Sequence, residues 1–590
     1  MSGICGWVGE ADAAVLDAML DAIDYRGDRI DKAYAPGVAL GYRWWGGRPG
    51  KSPGIHRDGA HLVACAGTFA PPEESPAAAL IEKLHPGESG QDSLDGAFAA
   101  AWWDGSERRL SLLRDPFGVR SLYYVEHRGT FYFASEIKQL LTIPGLPREI
   151  DDAAVHKYLT FSFVPGEDTP LKGVRRLLPR RIAIWENGRL KITQYFELRE
   201  ALDAKLTDRG EAARLIGDLC KAAVAKRLHG KENIGLFLSG GLDSSSVALW
   251  LKEAGASVSA FSLDFGDKSV EKDRAREVAD ALQIPLQFVK VGGEDLLPVL
   301  TDLVWKLDLP FGDAVTGPQY LLGKAARATG CDCIFNGEGG DQLFGGWTQK
   351  PMIGAELYAN LYASDGGEDS REEAYLRSFH RFYGAEDALY TPEFRARVGP
   401  AGQRRALLMP YLQGEKATTF ANHIRLADFA LKGCQNILPR AERMANAWGL
   451  DVRAPLFDRQ LAEASFALAP QLKLHGAVEK FVLKLAVRGK LPNDVVWRKK
   501  LGMGVPITDW TLGPLAPAMR ELLGKASLER RGLFHHDYVE PLLQGRNLPG
   551  ETRRRRVGER LWALAMLEAW LRVFIDGGGK KPSGITGDWR

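Results

Sequence analysis

From about residue 212 onward, short apolar runs alternate with helical stretches, and this alternation constrains the fold more than any other feature of the chain. The runs are "NIGLFLS", "SVSAFSLDF", "LQFVKV" and "CDCIFNG". The pattern predicts a doubly wound parallel sheet with helices on both faces. In such a sheet ligands lie beyond the carboxyl ends of the strands. The turns that follow the apolar runs are therefore where chemistry is expected.

Two of those turns stand out. "GLFLSGGLDSSSVALW" (235–250) passes through Ser239-Gly240-Gly241-Leu242-Asp243-Ser244 before turning apolar again. Its glycines let a bound group approach the main chain closely, and the first N–H groups of a helix have no partner inside it. Nucleotide phosphates are the expected guest. An acid inside a phosphate site needs its own reason, and a bridging Mg²⁺ supplies one for Asp243. A ligand-free turn would not require two glycines, two serines and an acid in six residues. "CDCIFNGEGGDQLFGGW" (331–347) ends a later apolar run in a second Gly-rich acidic turn, which could face the first across one crevice. Asp341 is then a second magnesium ligand and Glu338 an acid within reach of the chemistry. "LDLPFGDAVTGPQYLL" (307–322) sets Asp308 and Asp313 around a proline turn, and "VVWRKKLGMGVP" (495–506) brings Arg498, Lys499 and Lys500. Those cations suit a phosphorylated intermediate, although alone they read equally well as a solvated basic face.

Up to about residue 200 the chain reads differently. "RLSLLRD", "SLYYVEHRGTFYFAS" and "RIAIWENGRLKITQYFEL" alternate apolar and polar residues around turn signals such as Arg128-Gly129 and Asn187-Gly188. Beyond about 350 the pattern is largely helical. At 590 residues the chain exceeds one core, so two or more domains are expected. A formal net charge of +2 argues against a nucleic-acid binder. The Arg553–Arg556 run reads as a solvated helix start. Six cysteines without metal-ligand spacing fit a reduced, cytoplasmic protein. No apolar run is long enough for a bilayer, and the start, "MSGICGWVGEADAAV", does not read as a signal peptide.

Taken together, these motifs resemble the glutamine-dependent asparagine synthetase family over nearly the whole chain. Its pyrophosphate loop resembles residues 239–244, and its Gly-Glu-Gly-x-Asp motif resembles Gly337-Glu338-Gly339-Gly340-Asp341. "ERMANAWGLDVRAPLFD" (442–458), Arg498-Lys499-Lys500-Leu501-Gly502, "RDPFGVRSLYYV" (114–125), "FASEIKQLL" (133–141) and "FVPGEDTPLKGVRRLLP" (163–179) also match. The resemblance implies an N-terminal nucleophile-type αββα glutaminase-like domain (1–200), an ATP-pyrophosphatase-type synthetase domain (205–575) and a disordered tail (576–590). It implies a reaction in which a carboxylate attacks the α-phosphorus of ATP, pyrophosphate leaves, and an amine then attacks the acyl-adenylate. By position, Ser239, Gly240, Gly241, Asp243 and Ser244 would hold the pyrophosphate, and Asp243 and Asp341 would bind Mg²⁺. Leu238, Leu263, Asn336 and Gly337 fall where the family holds the nucleoside. Glu338 falls on an acid needed for adenylate formation and for taking the amine's proton, and Lys500 would steady transition-state charge. Family members often form homodimers.

The resemblance breaks at the front. The family's nucleophile is an N-terminal cysteine, and in the matching register Ser2 occupies its slot; a register using Cys5 spoils the match at Gly3 and Ile4. Where the family has Tyr-Asn-Gly-Glu-Ile-Tyr-Asn, this chain has Ala64-Cys65-Ala66-Gly67-Thr68-Phe69-Ala70. The expectation is a front domain that no longer hydrolyses glutamine, joined to an intact synthetase. The amine donor is then ammonia, a separate amine, or a group on the substrate itself, as in the related β-lactam synthetases and lasso-peptide cyclases. A pseudoenzyme scaffold is the non-catalytic alternative, opposed by the retained Asp243, Glu338, Asp341 and Lys500.

Overall fold

The computed structural model describes residues 2–46, 54–84, 94–201, 206–228, 232–269, 271–346, 371–379, 381–399, 403–500, 502–547 and 554–580. Of the tail expected to be disordered, 581–590 lie outside the described residues. Asp576 is described and accepts a 2.6 Å hydrogen bond from Arg531.

The early strands are β1 (Gly3–Val8), β2 (Arg29–Ala35), β3 (Val38–Trp44), β4 (Ile55–Asp58), β5 (His61–Phe69), β6 (Gly96–Asp104), β7 (Arg109–Arg114), β8 (Tyr123–His127), β9 (Thr130–Ala134), β10 (Arg175–Arg176), β11 (Arg181–Glu186) and β12 (Arg189–Gln194). They form two six-stranded sheets, ordered β10-β8-β9-β1-β3-β2 and β12-β11-β7-β6-β5-β4. The predicted turns close two of the hairpins. Arg128 and Gly129 have φ of 51° and 78°, and Asn187 and Gly188 have 50° and 73°, the paired left-handed angles that match strand twist.

Side-chain alternation then builds four layers. Ile4, Leu40 and Tyr42 of the first sheet meet Leu62, Ala64, Trp103 and Leu112 of the second in one apolar core. Across it Phe131 stacks on Trp185 with ring centroids 4.5 Å apart. The opposite faces carry Cys5, Trp7 and Ala39 on one sheet and Val63, Cys65 and Ala100 on the other. These are covered by the helices Ala13–Asp21 and Pro76–Leu84. The arrangement is the expected αββα sandwich.

The apolar runs that opened the sequence argument become β13 (Ile234–Phe237), β14 (Val258–Asp264), β15 (Leu286–Lys290) and β16 (Cys333–Phe335), joined by β17 (Asp451–Arg453). All pairings are parallel, in the order β15-β14-β13-β16-β17. Chain progression reverses between β13 and β16, where Leu236 lies opposite Phe335. Such a reversal opens a crevice at the carboxyl ends of the two strands. Among the described residues, no helix is long and apolar enough to cross a membrane.

A buried ion network ties the sandwich to the parallel-sheet region. Glu136 pairs with Arg26 and Lys138, and Lys138 also lies 3.2 Å from Asp308. Glu442 receives Arg26 at 2.9 Å and Arg120 at 2.7 Å, and Arg120 reaches on to Asp451 at 2.7 Å. Burial pushes the Glu442 carboxyl up, but the Arg26 and Arg120 guanidinium groups outweigh it and hold the group at about 2. Removing one partner of a buried pair strands the other charge, typically at about 3–5 kcal/mol. Glu442→Ala should therefore destabilise the protein by about that much, read as a lower midpoint in urea. Because the folded-state value is depressed, the stabilisation is present above the ordinary carboxylate value of 4.5 and is lost as pH falls toward about 2. The gap between wild type and variant should narrow over that window.

Candidate functional site

The loops after β13 and β16 touch, and glycine permits it. A Cβ on Gly337 would lie 2.5 Å from the Ser244 nitrogen, and one on Gly340 would lie 2.2 Å from Asp243 Oδ1. Side chains at either position would separate the two loops. Together they floor a crevice of about 390 Å³. Leu238, Ser239, Gly241, Asp243, Ser244, Leu263, Asn336, Gly337, Glu338, Asp341 and Lys500 all line it. Gly240 does not. Its φ of 69° turns the chain, and its Cα packs against the Arg274 backbone instead. Ser2 lies away from the crevice, at the start of β1.

The serine-rich turn is pre-shaped. Ser244 Oγ bonds the Gly241 carbonyl at 3.2 Å and lies 3.1 Å from Ser239 Oγ, which accepts from the Gly241 N–H at 3.3 Å. The helix Leu242–Glu253 starts here without a side-chain cap, which leaves its first N–H groups for an incoming acceptor. Across the crevice, Asn336 Oδ1 accepts from the Glu338 N–H at 3.2 Å.

Asp243 and Asp341 converge as expected, on a residue that sequence reasoning missed. Lys480 is buried, pairs with Asp243, and lies 2.6 Å from Asp341. Lys500 pairs with the other oxygen of Asp341. Burial raises the Asp341 carboxyl, yet Lys480 and Lys500 outweigh burial and hold it well below the ordinary range. Burial lowers the Lys480 ammonium, and the two carboxylates drive it well above its usual value. Lys480 has a φ of 54° at the start of the helix Phe481–Val487. In the sequence it is one lysine before an apolar run, and nothing nearby marks it. Of the predicted basic cluster, only Lys500 turns onto a crevice carboxylate. Arg498 lines the crevice but is tied to Glu277 at 2.8 Å, and Lys499 is exposed.

Glu338 stands apart. Burial raises its carboxyl, opposed first by Arg440. Arg440 is itself engaged with Asp313, which also accepts from Asn436 at 3.0 Å. Asp308, singled out with Asp313, belongs instead to the buried ion network.

The donor set suits a hard cation completed by ligand oxygens. Asp243 Oδ1 has no hydrogen-bond partner, and among the described residues no group of three or more His, Cys, Asp or Glu could cage a metal unaided. Mg²⁺ characteristically takes one or two carboxylates and fills its remaining positions with phosphate oxygens and water. Asp243 and Asp341 are the residues that would hold it. If they do, Lys480→Met should lower stability near neutral pH by about 3 kcal/mol, since it strands Asp243 and leaves Asp341 with Lys500 alone. Millimolar MgCl₂ should restore part of that loss, measured as melting temperature with and without the salt. A variant indifferent to MgCl₂ would remove the pair as cation donors.

The asparagine synthase family model matches residues 215–572, and a glutamine amidotransferase domain model matches residues 78–196. Asparagine synthetase (glutamine-hydrolyzing) 1 of Bacillus subtilis (strain 168) is 26% identical over 521 residues, covering 84% of this chain and 80% of its own. Amidase chyE of Penicillium rubens is 29% identical over 511 residues, covering 76% of this chain and 75% of its own. Amidase chry2 of Gibberella zeae is 25% identical over 524 residues, covering 78% and 77%. The family match spans the parallel sheet, both crevice loops and Lys480 and Lys500 together, and the chain belongs to the asparagine synthase family of ATP-dependent amide-forming ligases.

Proposed function

We propose that this enzyme activates a carboxylate as an acyl-adenylate and passes the acyl group to ammonia or another amine, without hydrolysing glutamine. A carboxylate oxygen attacks the α-phosphorus and pyrophosphate leaves; the amine nitrogen then attacks the acyl carbon and AMP leaves. The observation that carries this reading is the convergence of Asp243 and Asp341 with two lysines at the sheet's switch point. Ser239, Gly240, Gly241 and Ser244 present the phosphate-holding turn, with Leu238, Leu263, Asn336 and Gly337 beside the nucleoside. Mg²⁺, held by Asp243 and Asp341, supplies charge neutralisation on the phosphate oxygens. Lys500 offsets charge as the α-phosphorus is attacked. Glu338 takes the proton from the attacking amine, a role helped by a carboxyl whose proton affinity burial has raised. On this reading residues 1–200 form the glutaminase-like domain and 205–575 the synthetase.

Four features of the sandwich support lost glutamine hydrolysis. Ser2, in the nucleophile's place, is buried against Tyr42. Cys5 sits in mid-strand between Gly41 and Ala134, and burial pushes its thiol far up, away from a reactive thiolate. Residues 64–69, where the family holds glutamine, are paired along β6. Arg43, which falls where the family resemblance retains a residue of the glutamine site, is engaged by the Gly27 and Leu20 carbonyls, at 2.8 and 3.1 Å. Likeness to the two fungal amidases favours a second reading, a specialised amide ligase whose acyl or amine partner is larger than aspartate or ammonia. The segment 350–435, expected to shape the acyl pocket, lies in part outside the described residues.

The test is pyrophosphate release from Mg-ATP with L-aspartate and either ammonium or glutamine. Ammonium should support turnover and glutamine should not; Ser2→Ala should change neither, and Asp243→Ala should lower the rate at least a hundredfold. Equal use of glutamine that Ser2→Ala abolishes would overturn the inactive front domain. No release with aspartate, but release with larger carboxylates, would select the second reading.

A further inference from the structure

A second cavity, of about 240 Å³, lies between the sandwich and the helical region. Its floor is apolar, built from Leu198, Leu426, Phe429 and Leu431. Among the described residues its wall carries Arg180, Arg181 and Lys416 against a single acid, Glu197. Lys416 and Glu197 answer each other at 2.6 Å. Among the described residues, no carboxylate lies within ion-pairing distance of either arginine. Both guanidinium groups act on Tyr411, each drawing down a hydroxyl that burial pushes up.

Arg180 is held in a demanding conformation to be there. Its φ is 64°, a left-handed angle that non-glycine residues adopt at some cost. The turn is fixed by the Arg180 N–H donating to the Asp115 carbonyl at 3.2 Å and its carbonyl accepting from Tyr195 at 3.0 Å. Two half-buried, uncompensated guanidinium groups above an apolar floor leave a defined chemical demand. An anionic head would meet the cations with charge-assisted hydrogen bonds, and an apolar body would fill the remainder.

We propose that this cavity binds a small amphipathic carboxylate, an organic acid with an apolar body and one anionic head. The site is separate from the nucleotide crevice but shares a wall with it. The ten-residue π-helix Asp428–Ile437 gives Phe429, Leu431 and Gln435 to the cavity and Lys432 and Ile437 to the crevice. Wide helical turns of this kind are rare and recur at functional sites. The proposal does not depend on which amine or acid the synthetase crevice uses.

The experiment is calorimetric titration of the full chain with octanoate, with octylammonium as the charge-reversed probe. Octanoate should bind and octylammonium should not. Arg180→Ala/Arg181→Ala should weaken octanoate at least tenfold, and Ala430→Phe, which fills the cavity from the π-helix, should abolish it. Saturating Mg-ATP should leave octanoate bound. Should the double variant fail to fold, Arg181→Gln, which leaves the left-handed turn at Arg180 untouched, should still weaken binding severalfold while keeping the wild-type melting temperature. No octanoate binding to wild type, equal binding of octylammonium, or displacement by Mg-ATP with the arginine variants unaffected would each overturn the site.

Discussion

The structure depends on a set of charges that water never reaches. Arg26, Arg120, Glu136 and Lys138 come from the sandwich, and Asp308, Glu442, Arg443 and Asp451 from the chain that builds the crevice. Each would be costly to bury alone, and together they are tolerable only in one relative placement. Asp308 also accepts from the backbone N–H groups of Ile137 and Lys138, at 2.7 and 3.0 Å. Placement of the two regions is thus set by directional bonds as well as by contact area. The helix Leu438–Asn446 carries Arg440 toward the crevice and Glu442 and Arg443 into the network. A site at the sheet's switch point is therefore referenced to a sandwich that, among the described residues, supplies none of the crevice's lining.

Much of this was legible in the residues. The apolar runs gave four of the five parallel strands because buried parallel strands need near-continuous apolar sequence. Asp451–Arg453 escaped notice: a three-residue strand with charged ends carries no periodic signal. The loops bearing Asp243 and Asp341 could be matched across the crevice because strand order makes their proximity a topological necessity. Lys480 could not. Its place depends on a left-handed residue some 140 positions after Asp341, and neither spacing nor composition encodes that approach.

The same contrast holds in the sandwich. Turn residues at 128–129 and 187–188 declared their hairpins through local chemistry. The fate of Arg26 was not local: its guanidinium is spent on Glu136 and Glu442, both far along the chain. Arg180 is a similar case. Its left-handed backbone is set by Asp115 and Tyr195, partners on either side of it in sequence.

Lys480 has one more implication. Asp243 and Asp341 bring two negative charges to the crevice, and Lys480 and Lys500 bring two positive ones. This cluster of four groups is therefore already neutral. On the proposed function, a divalent cation arriving with a polyanion would not fill an empty socket; it would exchange with a resident counter-ion. Lys480, displaced from the carboxylates, would carry its charge to the incoming oxygens. Loading in this form would be a swap of ion partners.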